Sequence, residues 1–248
     1  MQSEHVLSLR DQIDQLEEKN SEQNNYFCVL SGTSKINGLE NFYTLGGSGA
    51  KPLWLNTPYA DWEEVMPYLV NIDSDSPFID WLEAQQQVFP DWGLLVASSY
   101  GFDEIFTHFE SLTKVLTPSG KEVFFRYWDA PQSQPVLALS DEPNRAELMG
   151  PVSYWLSSQG GIEHPSEPQV IGKRFPWWML SEALALALFK QNPAVVKQNL
   201  KQRLIDNHYD SIDGMSESLL DARLGAFIKN RPDGNVEELL KYLSRWQR

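Results

Sequence analysis

The sequence predicts an α+β protein: an N-terminal lobe on a mixed β-sheet with flanking helices, followed by a small all-α lobe. Three observations lead there. Short apolar runs rich in β-forming residues alternate with helix-period stripes through the first two thirds of the 248-residue chain. From Pro176 onward the apolar pattern is read as helical. Between them, Ser157 to Pro168 is small and polar, with two glycines and two prolines, the composition of a boundary. The expected organisation is an amphipathic helix and linker over 1–25, an α/β lobe over 26–157, a linker over 158–169 and a helical lobe over 170–248.

Residues 3–19 place Val6, Leu9, Ile13 and Leu16 at spacings of three and four, an amphipathic helix, and Asn20 to Asn25 is a polar linker. Tyr26 to Leu30 is apolar throughout and reads as a central strand. Ser31 to Gly38 is turn-rich. The run Gly46-Gly47-Ser48-Gly49-Ala50-Lys51 is not a phosphate loop. Such a loop ends in Lys-Ser or Lys-Thr and opens a helix, whereas Pro52 and a short strand to Leu55 follow here. Tyr59 onward reads as a helix with Trp62, Val65 and Met66 inward, broken at Pro67, after which Tyr68-Leu69-Val70 is extended. Ser76 caps a helix with Pro77 in its first turn and Phe78, Trp81 and Leu82 on its apolar face. Trp92 to Ala97 is a strand. Phe102 to Leu112 is a helix striped by Phe102, Ile105, Phe106 and Phe109.

The lobe turns around Val115 to Asp129, which reads as a hairpin. Pro118-Ser119-Gly120 makes the turn, and Lys121 to Trp128 returns. Alternation puts Val123, Phe125 and Tyr127 on one face and Phe124, Arg126 and Trp128 on the other. Pro131 to Ser140 reads as irregular, Asp141 to Met149 as a short helix ended by Gly150, and Pro151 to Leu156 as the last strand. In the C-terminal lobe Val170 to Phe175 is extended. Pro176 then opens an apolar helix through Trp177, Trp178, Met179 and Leu180 and on to Phe189, expected at the centre of a bundle. A helix from Pro193 turns Val196, Leu200, Leu204 and Ile205 inward, and another spans Leu219 to Ile228. A last one is capped by Asn235, with Glu238 in capping-box position and Leu239, Leu240, Leu243 and Trp246 packing it.

Charge is divided unevenly. Residues 169–248 carry 12 lysines and arginines against 9 aspartates and glutamates; of the chain's 20 and 34, the first 168 residues therefore hold 8 and 25. An acidic lobe with a net −17 precedes a weakly basic one, which argues against nucleic acid as a partner. The acidity serves solubility or recognition of a basic partner. Nine tryptophans supply both core and binding surface. A single cysteine, Cys28, lies in an apolar run and fits a reducing compartment. No export signal and no run of about 20 apolar residues is evident, so a cytoplasmic protein without stable membrane insertion is expected.

Catalytic patterns are sparse. His5, His108, His164 and His208 stand far apart, with no metal-ligand spacing to one another or to Cys28. There is no Gly-x-Ser-x-Gly elbow, and Asp73-Ser74-Asp75-Ser76-Pro77 reads as a helix entry rather than an acid/base pair. No cofactor, metal or enzymatic activity is expected. The candidate partner-binding residues are Arg126, Trp128 and Asp129 at the hairpin end, and Trp177 and Trp178. Arg126 needs a counter-charge or a ring face. With Asp129 one step beyond Trp128, the favoured reading is a clamp and the alternative an anion or ligand site. Trp177 and Trp178 either meet a partner or fill the bundle core.

Phe125-Arg126-Tyr127-Trp128-Asp129 resembles the FRFYDP signature of the effector chaperone and adaptor family of bacterial type VI secretion. The resemblance covers roughly Tyr26 to Trp155. Pro67-Tyr68-Leu69-Val70, Ser76-Pro77 with Trp81-Leu82, Trp92-Gly93-Leu94-Leu95 and Gly150-Pro151-Val152 are similar to its other segments, in order. The chain departs from the family after Asp129, where Ala130 precedes Pro131, and between Gly32 and Leu53. The resemblance implies a non-enzymatic protein that binds a toxic effector in the cytoplasm and helps load it onto the VgrG spike. Many such clients carry long apolar segments, which an aromatic groove suits. Two other readings stand beside it: an acidic immunity protein that neutralises a toxin, and a hydrolase using carboxylates of the acidic lobe.

Overall fold

A computed structural model describes residues 8–19, 24–230 and 236–245 of the chain, and its architecture is α+β. The chain divides into two compact units, Met1–Leu180 and Ser181–Arg248. In the first, the order is α1 (Leu9–Lys19), β1 (Asn25–Leu30), α2 (Gly38–Thr44), β2 (Lys51–Pro52), a 3-10 turn (Glu63–Val65), β3 (Tyr68–Ile72), α3 (Pro77–Gln85), β4 (Gly93–Ser98) and α4 (Phe102–Ser111). The hairpin β5 (Lys114–Leu116) and β6 (Glu122–Phe124) follows, then α5 (Ala130–Leu139), α6 (Glu142–Met149), β7 (Tyr154–Ser157) and β8 (Gly160–Glu163).

Six strands form one sheet in the order β2-β3-β1-β4-β7-β8, each pairing antiparallel. The apolar run predicted as a central strand is β1, hydrogen-bonded on both sides, with Cys28 opposite Val70 and Leu95. Because both faces of this strand are buried, it is apolar at every position from Tyr26 to Leu30. One face carries Tyr26, Cys28, Leu30, Leu95 and Ala97 against Leu9, Ile13 and Leu16 of α1 and Phe78, Ile79 and Leu82 of α3. On the other, Phe27 meets Phe102 and Trp155 meets Phe109 of α4. Ser76 caps α3 as predicted, its Oγ accepting from Phe78 N at 3.3 Å.

The structure corrects several expectations. Residues 38–44 form a helix that the turn-rich reading of its flank did not include; Phe42 anchors it in the core against Phe78. The segment from Tyr59 is a series of turns rather than a helix, because Pro67 leaves it no length to propagate. Met66 is buried there, but Trp62 points outward, 48% exposed. The return strand ends at Phe124, not Trp128. Most of Pro131 to Ser140, expected to be irregular, lies in the helix Ala130–Leu139: Pro131 falls in the first turn, where no N–H is needed, and Ala130, Val136 and Leu137 bury. The segment expected as a linker contributes β8 to the sheet.

In the second unit the helices are α7 (Glu182–Gln191), α8 (Pro193–Asn207), α9 (Glu217–Asn230) and α10 (Val236–Ser244), with a 3-10 turn at Tyr209–Ser211. Leu200, Leu204, Leu220, Leu224, Phe227, Leu239 and Leu243 make its core. Here α7 starts at the Ser181 cap rather than at Pro176, and Leu184 is its single buried residue, so it is not the bundle's centre. Ile205, expected inward, is 41% exposed. Expectations for His5, Val6, residues 20–23, Asn235 and Trp246 lie outside the described residues. Among the described residues no helix is long and apolar enough to cross a membrane.

Candidate functional site

The β5–β6 hairpin is closed by Gly120 at φ 77° and by Thr117, whose N–H donates to the Lys121 carbonyl at 2.9 Å. Beyond β6 the chain bends: Tyr127 N donates to the Phe125 carbonyl and Asp129 N to that of Arg126, at 2.9 and 3.0 Å. Asp129 then leads into α5, its carbonyl accepting from Gln132 N and Ser133 N. This bend brings Arg126 Nη2 to 3.0 Å from Asp129 Oδ2 and 3.3 Å from Thr33 Oγ1 in the loop after β1. Gln132 Nε2 donates to the same carboxylate at 2.9 Å. Asp129 is 6% exposed. Burial pushes its carboxyl above the usual range, the Arg126 guanidinium pulls it back, Asp91 adds to the rise, and the Gln132 bond opposes it. Arg126 and Asp129 are thus engaged with each other, the clamp that the sequence favoured, and they fasten the hairpin end to the loop beyond β1.

Trp128, 2% exposed, is the base of a larger aromatic assembly. Its ring meets Trp54 at 5.5 Å, and Trp54 in turn meets Phe124 at 5.9 Å and Trp62 at 6.4 Å. Tyr59, Trp62 and Phe124 pack on one another at 4.7 to 5.4 Å. Trp54 is buried, whereas Trp62 and Phe124 are 48% and 37% exposed. Lys114 Nζ stands 5.2 Å from the Tyr59 ring centre and 5.4 Å from that of Phe124. Sequence reasoning found Trp128 but not Trp54, Tyr59, Trp62 or Phe124. The signal was three large aromatics within nine residues, and Phe124 sharing a face with Trp128.

Trp177 and Trp178 belong to the first unit, on an extended strap, and not to the helical bundle. Leu116 N donates to the Trp178 carbonyl and Leu180 N to the Leu116 carbonyl, both at 2.8 Å, so the strap adds a short third strand to the hairpin. Trp178 is 2% exposed, stacks on Phe125 at 6.3 Å and donates to the Asn144 carbonyl at 3.4 Å. Trp177 is half-buried and donates to Ser111 Oγ at 3.0 Å. The structure therefore separates the predicted residues: Trp128 joins the Trp54 assembly, Trp178 the Phe125 side of the hairpin.

A cleft of about 410 Å³ lies beside the aromatic assembly, lined by Thr57, Pro58, Glu110, Lys173, Arg174 and Phe175 among others. Phe175 contacts Tyr59 at 6.4 Å. Burial raises the Glu110 carboxyl, against Lys51 and Arg174. Burial, with Glu110 nearby, also pushes the Tyr127 phenol up. Among the described residues no group of three or more histidines, cysteines or carboxylates is placed to hold a metal.

Residues 26–147, just under half the chain, match the sequence model of a family described as "Domain of unknown function (DUF4123)". No curated protein and no solved structure matches the chain.

Proposed function

We propose, taking the match over residues 26–147 as premise, that the protein is a non-enzymatic adaptor of type VI secretion. In this reading it binds a toxic effector in the cytoplasm, keeps it competent and helps load it onto the VgrG spike. The observation that carries it is that match, which covers the same stretch as the FRYWD corner and most of the segments similar to the effector chaperones. The geometry supports binding rather than turnover. Arg126 and Asp129 are occupied with each other, and the exposed groups beside them are aromatic rings held from beneath by buried tryptophans.

The test is purification of the tagged protein from its own cells, with identification of what travels with it. Recovery of one large toxin together with a spike protein is expected. Recovery of a toxin whose activity is blocked, without the spike, moves the assignment to an immunity protein, a role the acidic first lobe also fits. Recovery of neither overturns the adaptor reading.

A further inference from the structure

We infer that the aromatic crest of Trp62 and Phe124 is a docking surface for a basic, apolar-faced segment of the partner protein. This rests on the adaptor reading above.

Trp62 and Phe124 are 48% and 37% exposed, large apolar side chains in a fold that buries most of its own. They do not sit loosely. Trp54, 3% exposed, contacts the rings of both Trp62 and Phe124, and Tyr59 packs on both as well. A ring already ordered in the free protein loses little freedom when a partner covers it.

The rim sets the sign of the partner. Asp61, Glu63 and Glu64 flank Trp62 and are all exposed, and Glu122 lies two residues before Phe124. The cations of the hairpin are Lys114, already 3.3 Å from Glu122, and Lys121 at the turn; Lys173 and Arg174 line the neighbouring cleft. The near rim of the crest is therefore acidic, within a first 168 residues that carry −17. An acidic segment meets repulsion here, and a purely apolar one leaves the carboxylates without counter-charge. The rings accept cations: Lys114 lies over Tyr59 and Phe124 from the protein's own side. An arginine or lysine laid on the outer face of Trp62, with aliphatic neighbours on Phe124, satisfies both the rings and the carboxylates.

The experiment uses the full chain and two labelled synthetic peptides, one alternating arginine with leucine and one alternating glutamate with leucine, read by fluorescence anisotropy. The arginine peptide is expected to bind and the glutamate peptide not to. Trp62→Ala, and separately the surface triple Asp61→Asn, Glu63→Gln, Glu64→Gln, each weaken binding about tenfold or more. The triple Asp14→Asn, Glu17→Gln, Glu18→Gln on the exposed face of α1 leaves it unchanged. The crest triple alters no buried group, so it decides the matter even if Trp62→Ala loses fold. Equal weakening by both triples means diffuse attraction to an acidic protein and overturns the inference, as does preference for the glutamate peptide. Purification from cells separates this from the adaptor reading. An effector recovered equally by wild type and by the crest triple sinks the surface alone, whereas no effector with wild type sinks the adaptor reading.

Discussion

His108 shows how much burial does to one side chain. It is 1% exposed, with Nε2 3.0 Å from the Leu148 carbonyl and Nδ1 buried without a partner, and burial pushes its pKa down to about 4. The bond to Leu148 opposes that fall, and His164 adds to it. Since the unfolded imidazole titrates near 6.5, the folded state favours the neutral ring. The stability this brings is complete above about 6.5 and is lost as pH falls towards about 4, at most about 1.4 kcal/mol per pH unit. Urea unfolding at pH 7.5 and pH 5 is expected to show a larger loss for wild type than for His108→Gln, whose side chain gains no proton. The sequence left His108 as either a solvated or a core histidine. Its depth was not legible, because that depends on Gly150 passing close to the ring, a contact between residues far apart in sequence.

At the level of elements, the hairpin end is where local and tertiary forces meet. Removing Arg126 leaves Asp129 buried beside Asp91 with no counter-charge, its remaining side-chain bond coming from Gln132. With Arg126 itself 40% exposed, Arg126→Ala is expected to cost about 1–2 kcal/mol, less than a fully buried pair. Asp129→Asn, which removes the buried charge as well, is expected to cost less than Arg126→Ala in the same denaturant titration. If Asp129→Asn costs more, the carboxylate has a partner that this geometry does not assign. Elements with a strong local signal were legible: the Ser76-Pro77 entry, the short helix ended by Gly150 and the hairpin turn at Pro118-Ser119-Gly120. Those decided by distant contacts were not. Pro131 to Ser140 read as irregular because Pro131 and Pro135 weigh against a helix, yet burial of Val136 and Leu137 holds one there as far as Leu139. Trp177 and Trp178 read as helical because an apolar run before an alanine-rich stretch has no period of its own, and backbone pairing with Leu116 decided otherwise.

At the scale of the molecule, each unit carries its own core, the sheet unit on both faces of β1 and the helical unit on Leu204, Leu224, Phe227 and Leu239. A fragment ending at Leu180 therefore retains everything that the sheet requires, including the strap on β5. It is expected to unfold cooperatively in far-ultraviolet circular dichroism and to keep binding the arginine–leucine peptide. A fragment ending at Ser157 loses β8 and the strap and is expected to unfold at lower denaturant or not fold at all. The α+β class was legible because strand-length and helix-length periodicities change along the chain. The point of division was not, since composition marked 158–169 while the contacts place it after Leu180.

Cys28 sits at the middle of the sheet, fully buried between β3 and β4, and burial pushes its thiol well above the ordinary range. The protein therefore carries its own clock. A thiol reagent in solution reacts only with molecules in which α1 or α3 has lifted from the sheet face or the β3–β1–β4 ladder has come apart, so the rate of labelling counts openings of this core and ignores motion in the helical unit. No engineered probe is needed to time them. A partner that rests on the surface leaves that rate as it was or slows it, and one that pries the lobe open makes it run faster.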